Sequence, residues 1–305
     1  MPPCIWTFLS SLENDQVGVT HPMQLSLLAS TPDISATGYM VNLLLGTPRE
    51  VIEEARALGF DGIEFLPGPP GTVGVAEMDW ALKASGATLT AVNSGRIVAQ
   101  GLTLLHPESR IRDRAILRFR DLLDFAGSFG VPVTLAGAKG MAPEGTEALA
   151  EETFRSLAEF ATAAGSLLLL TPTHERDSNF ICTVAEAVQW VQRINHPGFG
   201  LMLDTYHLAL KEPSIPEALR AVAGRLRHLH LYDPGRMPPA SGAKTPLDWP
   251  VILGVLHEMD YEGAASICLA PAGDRAALAV RAAAYLKGLL DEAPEADPGL
   301  RLGFP

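Results

Sequence analysis

The sequence has few cysteines and no basic residue near its start. Its three cysteines, Cys4, Cys182 and Cys268, are scattered and form no CxxC pair, which argues against a disulfide framework and indicates a reducing compartment. No lysine or arginine precedes Arg49, so the basic flank of a secretory signal is missing. No apolar run approaches the roughly 18 to 20 residues that span a membrane. We therefore expect a cytoplasmic protein with no membrane partner.

Positive charge is scarce as well. The chain has 23 lysines and arginines against 35 aspartates and glutamates, a formal net charge of -12. A nucleic-acid groove normally needs a clustered excess of lysine and arginine, so we expect no nucleic-acid partner. The acidic balance does not exclude a phosphorylated substrate, because a helix N-terminus and one arginine can bind a single phosphate. A small-molecule substrate is the expected partner.

Eight short apolar runs recur along the chain, and segments of helical period lie between them. The runs are 39–45, 62–67, 88–94, 132–137, 166–173, 199–207, 227–233 and 263–271. They are continuously apolar rather than alternating, as expected for parallel strands covered by helices on both faces. Eight strand-then-helix units predict an α/β fold, a single (β/α)8 TIM barrel, with a doubly wound sheet as the weaker alternative.

The domain organisation follows from the same pattern. Residues 38–293 are predicted to form the barrel, and its first helix begins where Thr47 caps a segment that starts with Pro48. Residues 1–37 show no sustained period and are interpreted as an N-terminal extension of unknown role. Residues 294–305, rich in proline and glycine, are interpreted as a C-terminal tail.

Active sites of TIM barrels lie at the C-terminal ends of the strands, so polar residues that end an apolar run are candidates. Asp204 ends a run too apolar to hold an unpaired charge cheaply. His228 and His230 are two residues apart on the next strand and therefore share a face. A carboxylate and an imidazole on neighbouring strand ends are a common start of a divalent metal site. The alternative is that these side chains form structural hydrogen bonds.

Several segments of the chain carry a family resemblance. They are EARALGFDGIEF at 54–65, TPTHERDSNF at 171–180, LMLDTYHL at 201–208, HLHLYDPGR at 228–236 and LDW at 247–249. Over about residues 39–290 the chain resembles the sugar phosphate isomerase/epimerase superfamily, the xylose isomerase-like barrels that include ketose 3-epimerases, hydroxypyruvate isomerases and inosose dehydratases. The resemblance implies the same fold and, less strongly, activity on a sugar, because this fold hosts many reactions.

The resemblance also implies a site. In that family Glu, Asp, His and Glu at the ends of strands five to eight hold one divalent ion, and the two glutamates move a proton beside a carbonyl. Asp204 and His230 match the metal-binding aspartate and histidine. His207 and Arg236 match the substrate-contacting histidine and arginine, and Asp177 resembles an acidic substrate contact.

Both glutamate positions depart from the family pattern, since they are Thr171 and Cys268. Threonine is a poor ligand and no base at neutral pH, so the two-glutamate proton transfer cannot operate as in the family. A thiolate can bind zinc, and we predict a metal set of Asp204, His230 and Cys268. Zinc or manganese is the expected ion, with no metal as the alternative. Cys268 has the simpler interpretation of a small apolar residue that fills the barrel end.

The remaining candidates complete a predicted site. Glu64 and Asn93, at the ends of strands two and three, are predicted to bind substrate, although Glu64 also suits a relocated base or a structural cap. His207, His230 and Cys268 are the predicted groups for proton transfer, since imidazole and thiolate can act as acid or base. Lys139, near the end of strand four, could form a Schiff base, but most loop lysines are solvated surface charges.

Three functions are compatible with these residues. The first is an isomerase, epimerase or lyase with an altered mechanism, acting on a sugar or another polyhydroxylated carbonyl compound. The second is a non-catalytic binding subunit, in a complex with an active relative. The third is a specialised-metabolism enzyme with a non-sugar substrate and metal-independent chemistry. The resemblance further implies a homo-oligomer, since relatives often form dimers or tetramers.

Overall fold

The computed structural model describes residues 23–37 and 43–291. The strands are β1 (Gln24–Ser30), β2 (Leu44–Leu45), β3 (Gly62–Leu66), β4 (Thr88–Asn93), β5 (Pro132–Leu135), β6 (Leu167–Leu170), β7 (Phe199–Asp204), β8 (Leu226–His230) and β9 (Ala264–Ile267). The α-helices are α1 (Pro48–Ala57), α2 (Val75–Ser85), α3 (Gly95–Ala99), α4 (Ser109–Gly127), α5 (Glu147–Ala164), α6 (Val184–Ile194), α7 (Thr205–Lys211), α8 (Ile215–Arg220), α9 (Trp249–Glu258) and α10 (Arg275–Asp291). None of the helices in these residues is both long and apolar enough to cross a membrane.

Eight parallel strands form a closed barrel. Strands β3 to β9 pair in chain order, and β1 pairs with β3 on one side and β9 on the other, which closes the sheet. The short β2 lies beside the end of β1. The helices surround the barrel and bury their apolar faces against it. The prediction of a single (β/α)8 TIM barrel is confirmed.

The predicted first strand is wrong. The barrel begins with β1, at Gln24, and in the described part of the predicted run, residues 43–45, the strand is Leu44–Leu45. The signal was weakened because two serines interrupt the apolar character of β1. Ser26 turns into the barrel, where its hydroxyl contacts those of Thr90 at 2.8 Å and Ser266 at 2.7 Å. A search for apolar runs therefore misses this strand, because some of the side chains that it directs into the barrel are polar.

The boundary at residue 37 between extension and barrel is wrong for the same reason, since β1 is part of the barrel. Residues 1–22 of the predicted extension, residues 38–42 and the predicted tail 294–305 lie outside the described residues.

The predicted start of the first helix is confirmed. The Thr47 side chain accepts from the backbone N–H of Glu50, the Glu50 side chain bonds back to the Thr47 N–H, and Pro48 occupies the first position. This reciprocal cap satisfies two of the donors that a helix start leaves free. The helices also pack closely at their ends. A Cβ added at Gly127, the last residue of α4, would lie 1.9 Å from the carbonyl oxygen of Ala164 at the end of α5.

Placing β1 inside the barrel leads to a stability prediction. Leu27, at the centre of β1, is fully buried, so Leu27→Ala should lower the free energy of unfolding by about 2–5 kcal/mol. Leu117→Ala is the matched control, since Leu117 is 58% exposed on α4, and it should change stability by less than about 0.5 kcal/mol. Urea denaturation measures both. Equal and small effects would contradict the assignment of β1 to the barrel wall.

Candidate active site

The C-terminal ends of the strands bring most of the predicted site residues together. Glu64 lies on β3 and Asn93 ends β4, while Asp204 ends β7 and His230 ends β8. His207 is in the first turn of α7, directly after β7. All five side chains are largely or fully buried. Asn93, Asp204 and His230 end their strands, as the strand-end rule predicted, whereas Glu64 is the third of the five residues of β3.

The carboxylate of Glu64 is the hub of the buried part of this cluster. It accepts a hydrogen bond from Asn93 Nδ2 at 2.5 Å, and it lies 2.8 Å from His228 Nε2 and 2.9 Å from His230 Nε2. Glu64 is fully buried. Its acceptor positions are therefore occupied by protein groups, and this placement argues against the predicted substrate contact by Glu64. Asn93 is held in the same way, since its Oδ1 also accepts from Gly95 N.

His230 lies between two carboxylates. Its Nε2 contacts Glu64, and its Nδ1 is 3.5 Å from Asp204 Oδ2. Burial opposes the charged ring, but the two carboxylates outweigh it and raise the pKa of His230 to about 9. Burial would also raise the pKa of Glu64, yet His230 and His228 hold that pKa well below its usual range. The ring and Glu64 thus form a buried ion pair at neutral pH.

The tautomer of His228 follows from its surroundings. Its Nε2 faces the Glu64 carboxylate and lies 3.0 Å from Ser266 Oγ, whereas its buried Nδ1 has no hydrogen-bond partner among the described residues. A proton on Nδ1 would be buried without an acceptor, which is costly. The proton therefore resides on Nε2 and is donated to Glu64. His228 was not predicted as a site residue, although its spacing from His230 indicated a shared face.

Asp204 is fixed by the helix that follows it. Its Oδ1 accepts from the backbone N–H of Tyr206 at 2.8 Å and from that of His207 at 3.4 Å, so the side chain caps α7. Burial opposes its charge, but His207, His230 and Arg236 together lower the pKa of Asp204 far below its ordinary value. Asp204 is thus a fixed anion and a very weak base.

His207 lies among the acidic groups as a neutral ring. Its Nδ1 accepts from the backbone N–H of His174 at 3.3 Å, and its Nε2 is 3.7 Å from Asp177 Oδ2 and 3.9 Å from Asp204 Oδ2. Burial, the largest cause, lowers the pKa of His207 to about 4 against the attraction of Asp204. Because Nδ1 is an acceptor, the neutral ring carries its proton on Nε2. That N–H is directed toward the acidic groups of the barrel mouth.

Asp177 and Arg236 form the rim of the site. Arg236 Nη2 donates to Asp177 Oδ2 at 2.9 Å, and its guanidinium lies over the Tyr206 ring, 4.6 Å from the centroid. Each of the two side chains is about one-third exposed, at 34% for Asp177 and 31% for Arg236. Arg236 also adopts a φ of +56°, a conformation that costs a non-glycine residue free energy and occurs preferentially at functional sites.

Asp233, which lies between β8 and the loop that follows, fixes that loop by hydrogen bonds. Asp233 Oδ1 accepts from the backbone N–H of Leu247 at 2.7 Å and from Trp249 Nε1 at 3.0 Å. These bonds join the two segments HLHLYDPGR and LDW across the intervening loop. The spacing of the two motifs therefore has a structural cause, and it places Arg236 over the barrel mouth.

The two residues at the glutamate positions provide no charge. Thr171, directly after β6, the fifth barrel strand, is buried, and its Oγ1 has no hydrogen-bond partner in the described residues. The thiol of Cys268, directly after β9, donates to the carbonyl oxygen of Arg236 at 3.4 Å. Burial raises the pKa of Cys268 to about 12. At neutral pH the side chain is a protonated thiol, which makes it a poor base.

Lys139 differs from its sequence interpretation as a solvated surface charge. It is fully buried, and its Nζ donates to Thr171 O at 2.6 Å, to Ala136 O at 3.0 Å and to Thr173 Oγ1 at 3.2 Å. The interpretation failed because Lys139 ends a short 3-10 turn, Gly137–Lys139, that directs the side chain inward. The sequence after a strand does not indicate whether a side chain there points into the barrel or into solvent.

Comparison with known proteins places the chain in a family. The profile of xylose isomerase-like TIM barrels matches residues 52–289. The chain belongs to this family. It is similar to a D-psicose 3-epimerase of Enterocloster bolteae, at 28% identity over 231 residues that cover 71% of this chain and 75% of the relative. It is also similar to a 3-dehydro-D-guloside 4-epimerase of Escherichia coli, at 24% identity over 230 residues, covering 71% and 86%.

Solved structures agree on the fold. The structure of an L-ribulose 3-epimerase matches with a TM-score of 0.72 at 17% identity, covering 88% of this chain and 95% of that one. At that identity the likeness shows the fold alone. The family resemblance expected from the sequence motifs is confirmed by the match to the family profile.

The donor set at the family's metal position does not fit the four-ligand ion of this xylose isomerase-like family. Asp204 and His230 are close together, but the neutral Thr171 hydroxyl is a poor ligand and the Cys268 thiol is protonated. Both ring nitrogens of His230 face carboxylates, Nε2 that of Glu64 and Nδ1 that of Asp204. Two ligands are fewer than the three protein ligands of a catalytic zinc site. The predicted set of Asp204, His230 and Cys268 remains a prediction.

Two other groups in the described residues have ligand atoms close enough for an ion: Glu64, His228 and His230, and His174, Asp177 and His207. In the first, the nitrogens are in direct hydrogen-bonding contact with the carboxylate. In the second, an ion on His207 Nε2 would require a proton on Nδ1, which faces the His174 N–H donor. Both arrangements favour hydrogen bonds over metal ligation.

A substitution tests the metal argument. Thr171→Glu with Cys268→Glu should restore four ligands, and the double variant should retain about one equivalent of Mn²⁺ or Co²⁺ after loading and gel filtration. Thr171→Gln with Cys268→Gln is the neutral control of the same size and should retain none. Elemental analysis measures both. A wild-type protein that holds about one equivalent of zinc, lost in Cys268→Ala, would instead establish the Asp204, His230 and Cys268 site.

The buried ion pair leads to a pH prediction. The pKa of His230 is raised from 6.5 to about 9 in the folded protein, so its stabilisation is complete below pH 6.5 and is lost as the pH rises through about 9. Glu64→Gln keeps the shape but removes the charge. It should destabilise the protein at pH 6 by roughly 3–5 kcal/mol and flatten this loss of stability between pH 6.5 and 9. Urea denaturation across that range measures it, and an unchanged slope would contradict the ion pair.

Proposed function

We propose that this protein transfers a proton at the carbon beside the carbonyl group of a sugar or another polyhydroxylated small molecule. The outcome is isomerisation, epimerisation or elimination, by a mechanism that differs from the two-glutamate mechanism of the family. The observation that carries the proposal is the grouping of Asp177, His207 and Arg236 at the barrel mouth. The relatives named above, which are sugar epimerases, support the substrate class.

The three mouth residues suit a hydroxylated carbonyl compound. The Arg236 guanidinium and the His207 Nε2–H are donors, and the Asp177 carboxylate is an acceptor that lies 2.9 Å from one and 3.7 Å from the other. Sugar oxygens both donate and accept hydrogen bonds. A substrate that inserts between Asp177 and these donors can therefore satisfy each of them.

The proposed roles follow from which mouth groups can donate a proton and which can accept one. His207 donates its Nε2 proton to the carbonyl oxygen and stabilises the negative charge that develops there. Asp177 is the carboxylate placed to take the proton from the neighbouring carbon, and it can return the proton to the same or to the adjacent carbon. Return of a proton to the same carbon from the other face requires a second proton donor. The buried His230 imidazolium is the group proposed to supply that proton. Cys268, predicted as a proton-transfer group, contributes no such step as a protonated thiol.

A second function is favoured by one specific observation. Both glutamate positions are filled by uncharged side chains, as expected for a binding subunit that has lost the family's chemistry. The same mouth residues would then bind a hydroxylated ligand without transferring a proton. A non-sugar carbonyl substrate is the remaining alternative.

Proton exchange tests the proposal directly. The protein is incubated in D₂O with a panel of ketoses, aldoses and small hydroxylated keto acids, and NMR follows the loss of carbon-bound hydrogen beside each carbonyl. We expect exchange with at least one sugar, reduced by about 10² to 10⁴-fold in His207→Ala, and a raised KM in Arg236→Ala. Arg220→Ala is the matched control, because Arg220 pairs with Glu258 on the exposed outer surface.

The contrary outcomes separate the alternatives. Binding of a sugar by calorimetry without any exchange would favour the non-catalytic subunit. Exchange confined to compounds that are not sugars would favour the third function. Full activity in both His207→Ala and Arg236→Ala would remove the proposed site.

A further inference from the structure

Lys139 is a buried lysine that forms no direct ion pair with a carboxylate of the described residues. Its side chain is fully buried, and its Nζ is hydrogen-bonded to two backbone carbonyl oxygens and one threonine hydroxyl. No carboxylate of the described residues lies within 4.0 Å of this nitrogen. Asp177 favours the ammonium ion from a longer distance, but desolvation is the larger effect, and burying an ammonium ion without a direct ion pair is expensive. Such a lysine needs an explanation beyond packing.

The other four lysines of the chain have no comparable environment. Lys83, Lys211 and Lys287 each form an ion pair with an aspartate or a glutamate, and Lys244 is exposed. Desolvation, the largest cause, lowers the pKa of Lys139 to about 7. A large share of its amine is therefore unprotonated at neutral pH, unlike that of an ordinary lysine with a pKa near 10.4. The unprotonated amine is the nucleophilic form.

The position of Lys139 places this amine beside the proposed site. Its Nζ contacts Thr171 and Thr173, and Thr171 stands where the family has its strand-five glutamate. The Thr171 hydroxyl is buried without a hydrogen-bond partner, so this corner of the barrel mouth holds a donor and acceptor that no described residue uses. Thr173 precedes His174, whose backbone N–H bonds to His207. The amine and the mouth residues thus share one side of the barrel.

We propose that Lys139 condenses with the carbonyl carbon of the substrate to form an imine, an inference that rests on the carbonyl substrate of the proposed function. The nitrogen forms a bond to the carbonyl carbon, the carbon–oxygen bond breaks, and the oxygen leaves as water. The protonated imine then withdraws electrons from the neighbouring C–H bond, and hydrolysis by one water returns the carbonyl and the amine. Activation of that C–H bond by the protonated imine needs no metal, and Asp177 is the carboxylate that takes the proton.

A reductive trapping experiment tests this inference. The full-length protein is incubated at pH 7 with dihydroxyacetone and sodium cyanoborohydride, digested, and mapped by mass spectrometry. We expect the reduced adduct on Lys139, in excess over that on exposed Lys83 by more than about tenfold, because the fraction of unprotonated amine differs. Lys139→Arg should abolish this adduct, and Lys83→Arg, the matched control, should leave it unchanged.

The readout separates a reactive lysine from a structural one. If Lys139 only ties the strand ends together, Lys139 remains unmodified while the exposed lysines react, and the inference is wrong. Thermal unfolding of Lys139→Arg and Lys139→Met shows whether each variant is folded before its labelling is compared.

Combination with the exchange assay separates this inference from the proposed function. Exchange in D₂O that persists in a folded Lys139→Met, without trapping at Lys139, overturns the imine and leaves the proposed function intact. Trapping at Lys139 without exchange of any sugar supports the imine and overturns the proposed function. Trapping at Lys139, together with loss of exchange in Lys139→Arg and Lys139→Met, supports both the imine and the proposed function.

Discussion

The pair of Glu64 and His230 is the interaction on which the rest of the site depends. It joins β3 to β8 across the barrel, and the second nitrogen of the ring extends the contact to Asp204 on β7. Three strands are thus fixed at their C-terminal ends by one charged ring. A buried ion pair contributes little net stability, because desolvation offsets the attraction, but loss of one partner is costly. Its main effect is to fix where the mouth residues stand.

The charge balance of the site gives the loss of the glutamates a physical meaning. The family's four-ligand site carries a divalent cation together with two glutamates at strands five and eight. Here Thr171 and Cys268 replace the two glutamates, so the site lacks two negative charges. The loss of these two charges offsets the loss of the two positive charges of a divalent cation. Without an ion the remaining carboxylates still face cations, since the imidazolium of His230 lies between Glu64 and Asp204 and the guanidinium of Arg236 faces Asp177. The five groups together carry one net negative charge.

The sequence predicted the parts of this arrangement that depend on strand register. Asp204 and His230 end successive apolar runs, and parallel strands bring such ends together, so their proximity followed from periodicity. Other parts depend on contacts between residues far apart in the chain. Glu64 lies 166 positions from His230, and no local pattern relates the two. The first strand was missed because Ser26 faces a polar barrel interior, and the burial of Lys139 depends on one short turn.

The ion pair of Asp177 and Arg236 explains how a site whose other side chains are buried could still admit a ligand. His207, Asp204 and His230 are almost inaccessible, so in the proposed function a substrate displaces this pair to reach His207. A partly exposed ion pair is worth about 0–1 kcal/mol, and a hydroxylated substrate replaces its hydrogen bonds. The left-handed backbone of Arg236 and the hydrogen bond from the Cys268 thiol to its carbonyl oxygen hold the guanidinium over the mouth. The rim therefore opens at low cost, whereas the Glu64 hub beneath it stays fixed.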